Sequence, residues 1–87
     1  MTAAKPINYP AHALTAMRER ELEVDWIERT VYDPDWVQPD PVHPEVERRF
    51  RTVPERNGRV LRVAVVETPE EIRIVTAFLD RRARKPK

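Results

Sequence analysis

Arg59-Val60-Leu61-Arg62-Val63-Ala64-Val65-Val66-Glu67, then Thr68-Pro69-Glu70-Glu71, then Ile72-Arg73-Ile74-Val75-Thr76-Ala77-Phe78-Leu79 is the stretch that decides the fold. Both runs are rich in β-branched residues, and a proline-bearing turn divides them, which reads as two antiparallel strands over 59–67 and 72–79. Both are apolar on each side for much of their length, so one of them is central in its sheet. Upstream, 46–53 reads as a further strand. Pro54-Glu55-Arg56-Asn57-Gly58 turns it back, with the chain's one glycine placed where a positive φ is needed.

Working outward, Pro10 suits the first turn of a helix over about 10–20, with Ala13, Leu14 and Met17 on one side and His12 and Glu19 on another. A second helix is expected over about 24–32. Trp26, Ile27 and Val31 form its buried stripe, and Asp33-Pro34 stops it. Residues 33–44 hold four prolines and read as a stiff extended connector, tacked to the body by Trp36. The fold class expected is α+β: two N-terminal helices packed on one face of a three- to four-stranded antiparallel sheet. Residues 1–9 are expected as a flexible lead-in, 10–80 as a single domain, and 81–87 as a basic tail.

Strand parity sorts the side chains. Val46, Phe50, Leu61, Val63, Val65, Ile72, Ile74, Thr76 and Phe78 would floor the helices. Arg49, Arg51, Arg62 and Arg73 would then share the uncovered face, an assignment that one bulge would scramble.

Charge is asymmetric. Residues 1–44 hold four Lys/Arg against eight Asp/Glu, a balance of −4, whereas residues 45–87 hold twelve against seven, a balance of +5. A basic half suits a polyanion, nucleic acid first, or pairs with its own acidic half on a solvated surface. There is no cysteine, which excludes disulfides, thiolate chemistry and cysteine-based zinc sites. Asp33, Asp35, Asp40, His43 and Glu45 are spread along the proline-rich stretch and fit no metal-ligand spacing. A single glycine excludes a glycine-rich phosphate loop. No apolar run is long enough to cross a bilayer, and the N-terminus lacks the layout of a secretion signal, so a cytoplasmic protein is the expectation.

Several motifs occur in order: His12-Ala13, Glu19-Arg20, Trp26-Ile27-Glu28-Arg29-Thr30-Val31, Pro39-Asp40-Pro41, Gly58-Arg59-Val60-Leu61-Arg62-Val63 and Thr76-Ala77-Phe78-Leu79-Asp80-Arg81. On these the chain resembles, over about residues 9–84, a bacterial family of small domains known as domain of unknown function 4258. Where relatives carry Arg-Met after the histidine, this chain has Ala16-Met17, and Arg18 or Arg20 is left to supply the basic group. More remotely the layout is similar to the BrnT and RelE-like ribonuclease toxins. That similarity implies a metal-independent endoribonuclease, one half of a toxin–antitoxin pair, with RNA and an antitoxin or other protein as partners and no cofactor.

Metal-free RNA cleavage needs the 2′-hydroxyl deprotonated, the phosphorus charge neutralised and the leaving oxygen protonated. His12, Glu19 and Arg20 are the catalytic candidates. Arg49, Arg51, Arg62, Arg73 and Arg81 are the phosphate-binding ones, and Thr76 and Asp80 are structural supports. The opposing reading makes His12 a structural group, hydrogen-bonded to Thr76 or Glu19 in the seam between helix and sheet. The alternative function is a non-catalytic binding or regulatory domain that offers the arginine-rich sheet face to a protein or nucleic acid.

Overall fold

The computed structural model describes residues 4–86; residues 1–3 and 87, parts of the expected lead-in and tail, lie outside the described residues. The elements follow the order β1 (Ile7–Asn8), α1 (Ala11–Glu19), α2 (Val24–Tyr32), β2 (Trp36–Pro39), β3 (Glu47–Val53), β4 (Arg59–Glu67) and β5 (Ile72–Leu79), with a 3₁₀ turn at Pro54–Arg56 between β3 and β4.

Helix α1 starts directly after Pro10, which sits in extended backbone at the N-cap. It closes with two reversed hydrogen bonds, Leu22 N–H to the Met17 carbonyl (2.8 Å) and Glu21 N–H to the Arg18 carbonyl (3.2 Å). Glu21 takes the left-handed conformation (φ 55°) that this ending requires. Leu22 and Met17 are both buried, which supplies the apolar contact that accompanies such a cap. Helix α2 buries Ile27, Thr30 and Val31, three or four residues apart on one stripe. The Thr30 hydroxyl is satisfied by the Trp26 carbonyl (2.9 Å), so its burial leaves no unpaired group.

The five strands form one mixed sheet in the order β1-β5-β4-β3-β2. The expected three to four antiparallel strands are therefore corrected to five. β1 runs parallel to β5 (Ile7↔Ile72, Asn8↔Arg73), and β2 adds antiparallel to β3 (Trp36↔Phe50 to Pro39↔Glu47). The proline-rich stretch read as a connector thus contains an edge strand, since an edge leaves half its N–H groups facing outward and tolerates proline there. The two residues of β1 lie in the segment expected as a loose lead-in.

Both helices lie on one face, α1 over β5 and α2 over β4 and β3. The core between the layers is built from Met17, Ile27, Val31, Leu61, Val63, Val65, Ile72, Ile74 and Ala77. The expected sorting of the faces is corrected in two places. The turn spans residues 54–58 and sets Val53 opposite Arg59, so even residues of β3 face even residues of β4. That puts Phe50 beside Arg62 on the uncovered face, and Arg49 and Arg51 beside Val63 and Leu61 on the helix face. In β5 the register shifts between Ala64↔Thr76 and Val65↔Ile74, leaving Val75 as an extra residue. This bulge turns Thr76 and Phe78 to the uncovered face and Ala77 to the core.

Candidate functional site

The expected catalytic residues lie in or beside the helical layer. His12 and Glu19 are exposed on α1. Arg20 reaches from the end of α1 to β5, where Nη1 donates to the Ala77 carbonyl at 3.2 Å. Thr76 pairs with Ala64 on the opposite face of the sheet, so the His12–Thr76 contact that the opposing reading offered beside His12–Glu19 does not form, and His12 is exposed rather than held in the seam.

The sheet arginines do not share one face, and most are engaged internally. Arg49 donates to the Val31 carbonyl at the end of α2 (2.9 Å), to Glu47 (2.7 Å) and to Glu67 (2.6 Å). Arg51 donates to the Asp33 carbonyl and carboxylate that follow α2. These two cations sit where the helix dipole is negative and its last carbonyls need donors, so the α2 C-terminus explains both. Lys5 and Arg49 converge on Glu67 and hold its carboxyl below the usual range. Arg73 and Arg81 are exposed.

On the uncovered face a different set converges. Trp36 of β2 stacks on Phe50 of β3, ring centres 4.7 Å apart and 4° from parallel. The Arg62 guanidinium lies over the Phe78 ring at 4.9 Å and contacts Asp80 at 3.3 Å. Arg48 contacts Asp40 at 3.2 Å. The backbone N–H groups of His43 and Val42, with Arg48 beside them, hold the Asp40 carboxyl below its ordinary range, so this partner stays ionised.

Asp80 also shapes the segment after β5. Its carboxylate accepts the Arg82 N–H (2.9 Å) and its carbonyl accepts the Ala83 N–H (3.3 Å), an Asx-type turn that reverses the chain. The reversal brings Arg82 and Arg84 over the open face. Trp36, Gln38, Arg48, Phe50, Arg62, Asp80, Arg82, Ala83 and Arg84 then line a cleft of about 290 Å³. Four arginines stand against Asp80 in that lining, a formal balance of +3; Arg48 is paired with Asp40 and Arg62 with Asp80, so Arg82 and Arg84 are its cations without a carboxylate partner among the described residues. Trp36 Nε1 and Arg62 Nε, from two of these residues, are buried donors with no acceptor among the described residues.

Volume alone would select a different cleft, of about 760 Å³, between β2 and the Thr68-Pro69 turn. It sets Lys5 and Arg49 against Glu45, Glu47 and Glu67, a balance of −1, and it contains no cation without a carboxylate partner among the described residues. An anion therefore favours the smaller cleft. Among the described residues, no cluster of three or more His, Asp or Glu side chains forms a metal site. No described helix is long and apolar enough to cross a membrane.

Of the residues named from sequence, this cleft unites Arg62 and Asp80. Sequence reasoning missed Trp36, Arg48, Phe50, Arg82 and Arg84 as site residues. The basic run after Asp80 was a visible signal for the last pair. Trp36 and Phe50 needed the β2–β3 register.

No curated protein and no solved structure matches the chain. Residues 9–79, most of its length, match the family described as a domain of unknown function, DUF4258. The chain belongs to that family.

Proposed function

We propose that this domain is an RNA-binding module that uses the uncovered sheet face and the basic segment after β5. One observation carries the reading: four arginines and two stacked aromatic rings line a single cleft in which Asp80 is the one carboxylate. Arginine forks match phosphate oxygens, and the half-buried Trp36, which lies on the buried Phe50 ring, is the one of the two rings that a base can reach, so this pairing of residue types suits a nucleotide chain better than a simple anion.

The ribonuclease-toxin reading draws on the exposed His12. It also asks for that imidazole beside the phosphate-holding arginines, and α1 lies across the sheet from this cleft. Binding without cleavage is the expectation.

The test is fluorescence anisotropy with a labelled single-stranded RNA octamer, using wild type, Arg62→Gln and Arg82→Gln, with circular dichroism to check folding. Each variant is expected to bind about tenfold more weakly, as the removal of one charge-assisted hydrogen bond implies. Wild-type affinity in both folded variants would sink the proposal. RNA cleavage by the wild type that His12→Ala abolishes would replace it with the enzyme reading.

A further inference from the structure

A second cleft, of about 480 Å³, adjoins the segment after β5. Gly58, Arg59 and Val60, at the start of β4, line it together with Arg81 and Arg84. Asp80, Ala83 and Arg84 line both clefts, so this short reversal of the chain is a ridge between two neighbouring basins. The basins differ in chemistry. The first is lined by Trp36 and Phe50, whereas the second has no aromatic residue among the described ones and sets three arginines against Asp80. Gly58 has no Cβ and takes φ 74°, with Thr52 Cγ2 4.0 Å from where a Cβ would stand, so the wall beside Arg59 is bare backbone.

Resting on the RNA-binding reading, we infer that the second cleft is a phosphate subsite and that the two clefts together select single strands over duplexes. A base enters the aromatic basin while a neighbouring phosphate crosses the ridge to Arg59 and Arg81. A single strand turns between successive nucleotides and can follow that path. A base-paired duplex keeps its bases stacked inside and is too stiff to bend over a ridge one turn of chain wide. The ligand class is therefore a single-stranded nucleic acid, gripped by at least one more phosphate than the aromatic cleft holds.

The experiment is an NMR titration of the ¹⁵N-labelled chain with a uridine octamer, alongside anisotropy on wild type, the double variant Arg59→Gln/Arg81→Gln and a blunt RNA duplex of equal length. The octamer is expected to shift both the Trp36 indole and the Gly58 amide resonances. The double variant is expected to bind it about tenfold more weakly and with a shallower salt dependence, by about 0.7 in log–log slope for each phosphate that is no longer neutralised. The duplex is expected to bind about tenfold more weakly than the octamer. An octamer that moves Trp36 but leaves Gly58 in place, or a double variant with wild-type affinity, overturns the second subsite and leaves the first cleft standing. Equal affinity for duplex and single strand overturns the strand selection. An octamer that moves neither resonance, or an acidic peptide that binds as tightly, overturns both readings.

Discussion

Arg49→Met separates a structural cation from a ligand-binding one. Arg49 holds the α2 C-terminus through the Val31 carbonyl at 2.9 Å and bridges Glu47 and Glu67 at 2.7 and 2.6 Å, with its own side chain 12% exposed. Methionine keeps most of the apolar stem and removes every donor. A hydrogen bond from a charged donor to a carbonyl is worth about 1.5 kcal/mol. The two carboxylates are 45% and 39% exposed and regain water on release, so each ion pair is worth about 0.5 kcal/mol after solvent screening. The total is about 2.5 kcal/mol. With an unfolding entropy of about 2.1 cal/mol/K per residue, the melting temperature should fall by about 14 °C. Roughly 1 kcal/mol of the loss should vanish in 0.5 M salt, because only the exposed pairs are screened. The assay is thermal unfolding followed by circular dichroism at two salt concentrations, with RNA anisotropy on the same samples. A fall of under about 4 °C together with abolished RNA binding would refute the structural assignment and return Arg49 to the phosphate-binding set.

Two further outcomes test the electrostatics. The Tyr9 hydroxyl is pushed up to about 12, first by burial and then by Glu28 and Tyr32. The folded state therefore keeps a proton that the unfolded chain releases near pH 10, and stability falls as pH rises from about 10 to 12. Tyr9→Phe should remove that alkaline loss in melts at pH 8 and 11. It should also cost no stability at pH 8, because the hydroxyl is buried with no partner among the described residues. Glu67 is held below its ordinary range by hydrogen bonds from Lys5 and Arg49. Its contribution is present above the unfolded carboxylate value near 4.3 and is lost as pH falls through the lower folded value. Urea titrations from pH 6 to 2 should therefore show a shallower acid loss for Glu67→Gln than for wild type.

Much of the secondary structure was legible residue by residue. The apolar spacing of Trp26, Ile27 and Val31 marks α2, although Trp26 is only half-buried and Thr30 completes the buried stripe, and Asp33-Pro34 marks its end. Runs rich in β-branched residues mark β4 and β5 at the bounds the structure shows. These signals are local, set by backbone sterics and side-chain period. Two strands were illegible because their warrant is not local. Ile7–Asn8 is too short for a period and becomes a strand only by lying parallel to Ile72 and Arg73. Trp36–Pro39 carries the prolines of a connector and becomes a strand only on the exposed edge of β3.

The site divides along the same line. Sequence by itself determined that the second half of the chain is cationic, that arginine is the cation, and that a basic run follows Asp80. It could not determine which arginines act together. A two-residue side-chain period means that a one-residue difference in pairing moves every side chain of a strand to the other face. The length of the 54–58 turn therefore sent Arg49 and Arg51 to the helix end and left Arg48 and Arg62 outside, and the extra Val75 turned Phe78 toward Arg62. The Asx-type turn at Asp80 then brought Arg82 and Arg84 into the cleft that Trp36 and Phe50 line. The cleft exists only because these pairings across the chain agree, and no local stretch of residues encodes that agreement.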